Sequence, residues 1–282
     1  KSYFAKKEYS ACIELLNVLS KEDPNRFEIW ECLTDAQLAA GQINEALDSA
    51  EIANKVNPFS IKPYLIRAQV DLENGLLDKA YEQVIQADEK VKGNGEVKVF
   101  LAKVLHAKGE KAAALAELEN ATQCKDLTPR TILDEIRLIK EINGTASARN
   151  LIEYFAKQMP ENTDLLALLA ESQLDNGDSH AAEVTARRVL KLKPDSIDML
   201  LFIGKQQLKK GQLDQAIHSF SQVVNLDAKK LEAYYALSTV FEEQRESGKA
   251  IDTLKRIIEI NPDEVEAYLK MADMYKDSKN YK

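Results

Sequence analysis

Cysteine is scarce in this chain. Cys12, Cys32 and Cys124 are the only three in 282 residues. They are odd in number and lack Cys-x-x-Cys spacing, which argues against a disulfide framework and a zinc site. They read as small buried apolar residues. Histidine is equally scarce: His106 falls on an expected helix, His180 just before one and His218 within one, and none has a His or Cys partner at metal-ligand spacing. No glycine-rich phosphate loop or nucleophile elbow is present, and acidic neighbours such as Glu242-Glu243 and Asp263-Glu264 read as solvated faces. No catalytic residue, metal or cofactor is therefore expected.

Long apolar runs are missing too. No stretch reaches the length that spans a bilayer, and residues 1–30 lack a signal-peptide pattern, so direct membrane insertion is not expected. Positive charge is in deficit: 38 basic residues against 46 acidic ones give a net charge of −8, which repels phosphate backbones, and no nucleic acid partner is expected. Only 10 glycines and 7 prolines interrupt a composition that is 45% apolar and 30% charged, which favours an ordered helical protein.

What the sequence does contain is a period. Gly41, Gly75, Gly109, Gly177 and Gly211 are separated by 34 or 68 residues, and Ala46, Ala80, Ala114, Ala148, Ala182, Ala216 and Ala250 recur every 34. Pro24, Pro58, Pro160, Pro194 and Pro262 keep the same register. Within residues 27–60, Phe27, Trp30, Leu33 and Leu38 form one apolar stripe at helical spacing. Gly41 then breaks the chain, and Ile43, Ala46, Leu47, Ala50 and Ala53 form a second stripe that ends at Asn57-Pro58. Each unit therefore reads as two amphipathic helices, with glycine supplying the turn and the small alanine letting the helices approach.

Trp30-x-x-Leu33 with Ala46 and Pro58, Gly204 with Ala216 and Phe220, and Tyr234-x-x-Leu237 with Ala250 and Pro262 resemble the tetratricopeptide repeat, and the resemblance covers the whole chain. It implies an all-α, right-handed superhelical solenoid of antiparallel helix pairs. Full repeats are expected at 27–60, 61–94, 95–128, 129–162, 163–196, 197–230 and 231–264, flanked by incomplete ones at 1–26 and 265–282. The unit 129–162 is irregular, with its turn glycine one place late at Gly144 and with Glu135 and Ile136 where the family prefers Leu and Gly. In unit 231–264 Arg245 holds the glycine position. Units 61–94 and 95–128 lack a closing proline, and looser joints are expected there. Neither end carries a capping helix, so a fragment of a longer protein is expected, with self-association through uncapped ends as a further expectation.

In the family the first helix of each repeat lines a concave groove. Carried over by register, that assigns Ile66, Phe100, Lys103, Arg137, Phe202, Lys205, Tyr235 and Thr239 as candidate protein-binding residues, with Gln69, His106, Leu133, Lys140, Leu168 and Glu171 beside them. Apolar rungs mixed with basic spots suit a helical or extended peptide segment with acidic flanks. The carboxylate-capturing set of the chaperone-binding repeats is absent: residues 27–128 offer Glu31, Asp35, Ile66, Glu96 and Phe100 instead. The expected function is a non-catalytic protein-interaction scaffold within a larger assembly, in the cytoplasm or, alternatively, the periplasm or envelope. The alternatives are a regulatory or substrate-selecting arm of an enzyme encoded elsewhere in the protein, and a part in bacterial envelope, polysaccharide-export or pilus assembly.

Overall fold

A computed structural model describes residues 9–277. The described residues contain sixteen α-helices and no strand. No helix among them is long and apolar enough to cross a membrane. The chain divides into two compact units, Lys1–Gly144 and Thr145–Lys282. The expected partial helix at the N-terminus lies outside the described residues.

Unit 1 contains α1 (Tyr9–Glu22), α2 (Phe27–Ala39), α3 (Ile43–Val56), α4 (Lys62–Glu73), α5 (Leu77–Lys90), α6 (Gly95–Ala107), α7 (Lys111–Thr122) and α8 (Pro129–Asn143). Helix α1 packs on α2, the pairs α2–α3, α4–α5 and α6–α7 form antiparallel hairpins, and α8 lies against α6 and α7. Unit 2 contains α9 (Thr145–Gln158), α10 (Thr163–Asp175), α11 (Ser179–Leu192), α12 (Ile197–Lys209), α13 (Leu213–Leu226), α14 (Leu231–Glu243), α15 (Ser247–Ile260) and α16 (Val265–Asp277). There α9 packs on α10, three hairpins follow, and α16 packs on α15. Each unit is thus a stack of helix pairs.

The hairpin turn has a common mechanism. At the end of α2, Gly41 takes φ +75°, its N–H donates to Leu38 O at 3.0 Å, and Gln42 N–H donates to Gln37 O at 2.9 Å. These two bonds satisfy carbonyls that the helix end leaves open, and the left-handed residue between them is easiest for glycine. Arg245 closes the α14–α15 turn with the same bonds at φ 61°, without that freedom. At Gly144 the pattern changes: α8 runs on to Asn143, α9 starts at Thr145, and Gly144 alone, at φ 82° and ψ 168°, stands between them. The division into units falls at this residue, inside the irregular repeat.

The recurrent alanines Ala46, Ala80, Ala114, Ala148, Ala182, Ala216 and Ala250 are all fully buried. A methyl group at these crossings lets backbones approach; a longer chain would have to push them apart. Larger residues fill what remains. Leu118 and Ala121 of α7 meet Leu138 and Ile142 of α8 in one cluster, and Phe220 of α13 meets Leu200 and Leu201 of α12 in another.

Three expectations are corrected. Only Cys12 is buried, while Cys32 and Cys124 are half-exposed, Cys124 lying past the end of α7 in the connection to α8. His180 lies in the first turn of α11 instead of preceding it, since Asp178 caps that helix through Ala181 N–H at 2.9 Å. The joint expected to be loose at Asn94 is tied down. Asn94 Oδ1 accepts from Val97 N–H, its Nδ2 donates to Asp126 Oδ2 at 2.6 Å, and Gly95 N–H donates to Asp126 Oδ1 at 3.1 Å. Two carboxylate oxygens here do the joining that a proline does elsewhere.

Candidate functional site

Helices α4, α6 and α8 are successive first helices, so residues 34 apart occupy equivalent places. Lys103 Nζ donates to Gln69 Oε1 at 2.8 Å, a direct bond across one such interval. Three rows result. Ile66 and Phe100 form the apolar middle. Gln69, Lys103 and Arg137 run beside them, and Lys62, Glu96 and Arg130 lie at the N-terminal ends of the helices. Thr128 and Pro129 fix the start of α8, the threonine hydroxyl accepting from Thr131 N–H at 3.2 Å.

These rows line a groove of about 590 Å³ in unit 1. Four of the eight candidate residues meet there: Ile66, Phe100, Lys103 and Arg137. Ile66 is 6% exposed and contributes floor more than contact surface. Phe100 is half-buried, and Lys103 Nζ lies 5.4 Å from its ring centroid. Arg137 is exposed, with Asp134 at 3.3 Å. Leu133, expected beside them, is buried and does not line the groove.

The groove is also more acidic than the apolar-and-basic reading implied. Asp35, Glu73, Glu96, Asp134 and Glu141 line it alongside Lys62, Lys103, Arg130 and Arg137. Lys62 already binds Asp35 at 2.7 Å, and His106 Nε2 lies 3.3 Å from Glu141. Glu96 keeps access to water, but the concave walls around it displace solvent. This desolvation raises its pKa above the ordinary carboxylate value, against the pull of Lys62 and Arg130. The alternation of sign along Lys62, Glu96 and Arg130 was available in the sequence, since the three are spaced by the repeat period.

The other four candidates belong to unit 2 and are engaged within it. Phe202 is half-buried against the cluster around Leu166, Val189 and Met199. Lys205 pairs with Glu232 at 2.6 Å, a bond that holds the Glu232 pKa down. The Tyr235 hydroxyl donates to Glu264 at 3.2 Å, and burial beside that carboxylate pushes its pKa up to about 12. Thr239 returns its hydroxyl proton to Tyr235 O at 3.1 Å. A shallow depression of about 310 Å³ elsewhere in this unit is lined by Tyr234, Leu237, Phe241 and Arg256, and includes none of the four.

Comparison with known proteins matches residues 207–274 to the tetratricopeptide repeat family model. No curated protein matches the sequence. Among solved structures, the APC/C hetero-tetramer Cut9–Hcn1 superposes with a TM-score of 0.62 at 16% identity, over 97% of this chain and 54% of that one. This chain therefore spans about half of that relative's length. YrrB, a repeat protein described as having an unusual peptide-binding site, gives 0.53 at 20% identity over 66% of this chain and 96% of its own. PilF of Pseudomonas aeruginosa gives 0.60 at 14% identity over 76% and 97%. At these identities the likeness is one of fold.

Proposed function

We propose, from the premise that this chain is an array of tetratricopeptide repeats, that it is a non-catalytic scaffold holding a segment of a partner protein in the groove of unit 1. The observation that carries this reading is the convergence of Ile66, Phe100, Lys103 and Arg137 on one groove. Its size suits a few side chains. An apolar side chain would pack on Phe100, and an acidic one beside it would meet Lys103 and Arg137. A basic residue further along would meet Glu73 and Glu141. The occupant is thus a segment of mixed charge around an apolar anchor. Aromatic and arginine side chains carry a disproportionate share of binding energy, which makes Phe100 and Arg137 the decisive pair. The unit 2 set serves as a secondary face, because none of its four residues lines the depression found in that unit.

YrrB's peptide-binding site and the assembly of Cut9 with Hcn1 are uses of the same fold and support a scaffold reading. The test is direct. A segment captured from the source cell is titrated into wild-type protein and into the Phe100→Ala, Arg137→Ala double variant, with helicity checked by circular dichroism. Affinity at least tenfold weaker with unchanged helicity is expected. Equal affinity would show that the groove does not hold the segment.

A further inference from the structure

Glu135 is a carboxyl group with 0% exposure, in the part of α8 where Leu33, Leu101, Leu169 and Leu237 stand in other first helices. Burying an acid is costly unless its charge is matched or absent. The Cys124 thiol in the α7–α8 connection feels the charges of Glu135, of Asp126 and of Lys98 of α6, the last paired with Glu117 of α7 at 3.3 Å. Asp126 is taken up by Asn94 and Gly95. None of these bonds to a Glu135 oxygen. Glu135 Oε1 contacts the Thr122 hydroxyl at the end of α7, and Oε2 has no partner.

The proton count around Thr122 decides the state of this group. Thr122 Oγ1 also lies 3.0 Å from Leu118 O. A hydroxyl has one proton to donate. With Glu135 ionised, Thr122 can satisfy Leu118 O or Glu135 Oε1 but not both, and the buried charge has no cation. With Glu135 protonated, the acid donates to Thr122 Oγ1 and Thr122 donates to Leu118 O. Each proton then has one acceptor, and no charge is buried.

We propose that Glu135 is a proton-dependent latch: protonated, it holds α8 against α7 and keeps Asp134, Arg137 and Leu138 in the groove, and its ionisation releases α8. The groove consequence rests on the binding reading above; the latch itself does not. Burial, opposed by the Thr122 bond, pushes the Glu135 pKa up to about 7 from an ordinary 4.5. A carboxyl raised on folding binds its proton more tightly in the docked state. Docking is therefore most favourable at low pH, weakens as pH rises from about 4.5, and levels off above about 7. By reciprocity, a partner that needs α8 docked would bind better under mildly acidic conditions and would raise the proton affinity of Glu135.

Hydrogen exchange of the full chain without any partner tests the latch separately from the groove. After correction for the intrinsic pH dependence of exchange, opening of α8 should increase several tens of fold between pH 5 and 7, and only about twofold from pH 7 to 8. Peptides from α4 should not follow this curve. Glu135→Gln, whose amide can donate to Thr122 but cannot ionise, should flatten the α8 profile. Titration of the wild-type Glu135 side chain by carboxyl 13C NMR gives a second readout that needs no variant, with a midpoint near 7 expected. A midpoint near 4.5, or α8 protection that parallels α4 across the pH range, would overturn the proposal.

Discussion

A Cβ placed on Gly204 would lie 2.5 to 2.8 Å from three carbons of the Phe220 ring. Phe220 is fully buried, and Gly204 of α12 is the space it occupies. Most other first helices carry a small residue at this position (Thr34, Ala68, Ala102, Ala170 and Ser238), and in their second helices the position of Phe220 is held by Ala50, Val84, Leu118, Ala186 and Leu254. Glycine and phenylalanine are therefore one packing decision made at two positions.

Gly204→Ala should lower stability by roughly 1–3 kcal/mol, since ring or backbone must move. Phe220→Leu introduced into that variant should recover part of the loss. Urea denaturation of the two single variants and the double variant measures the coupling. Additive effects would show that the two residues do not share one space.

Arg245 adopts at φ 61° the conformation that glycine adopts in the equivalent turns. The Cβ contact in the left-handed region costs an L-residue roughly 1–2 kcal/mol, part of which glycine gives back through its freer unfolded chain. Arg245→Gly should raise stability by about 0.5–1 kcal/mol, with α14 and α15 unchanged by circular dichroism. A lower thermal midpoint would mean that the arginine side chain contributes more than its backbone costs.

Asp126 fastens the start of α6 through Asn94 and Gly95. Asp126→Ala should destabilise unit 1 by roughly 1–2 kcal/mol, as expected for charge-assisted bonds near the surface. Amide exchange at Gly95–Val97 should accelerate before that of α4. Asp126→Asn, which keeps one acceptor oxygen, should lie between the two.

The sequence made the repeat legible because the features that set it are few and unambiguous. A left-handed turn selects Gly41 and its equivalents, and a helix crossing with no spare volume selects Ala46 and its equivalents. Polar burial was not legible in the same way. Gln207 accepts from Ser219 at 2.7 Å, Gln173 accepts from Thr185 at 2.8 Å, and Gln37, with its amide oriented to satisfy both ends, donates to Ser49 at 2.8 Å. Each glutamine taken alone looks like a surface residue; only the partner 12 residues later draws it into the packing, where Gln37 and Gln207 are buried and Gln173 is half-buried. Glu135 misleads for the same reason, because its partner is a hydroxyl on the preceding helix.

The groove was half legible. Register brought Ile66, Phe100, Lys103 and Arg137 to mind together, and they do share a surface. Its acidic side was legible only in part: Asp35 and Glu96 stand out at first-helix positions, with Glu96 at the repeat spacing from Lys62 and Arg130, but Glu73, Asp134 and Glu141 do not stand out in an acidic chain. The place where the chain divides into units was visible only as a misplaced glycine. A single residue between two helices, as at Gly144, cannot make the two-bond turn that Gly41 and Gln42 make.

A partner segment held as proposed would cover the first-helix face of unit 1. Hydrogen exchange across the full chain, with and without a saturating bound segment, tests it most directly. Protection is predicted in α4, α6 and α8, strongest around Phe100 and Arg137, with α5 and α7 little changed. Protection confined to α5 and α7, or to unit 2, would show that the segment binds elsewhere.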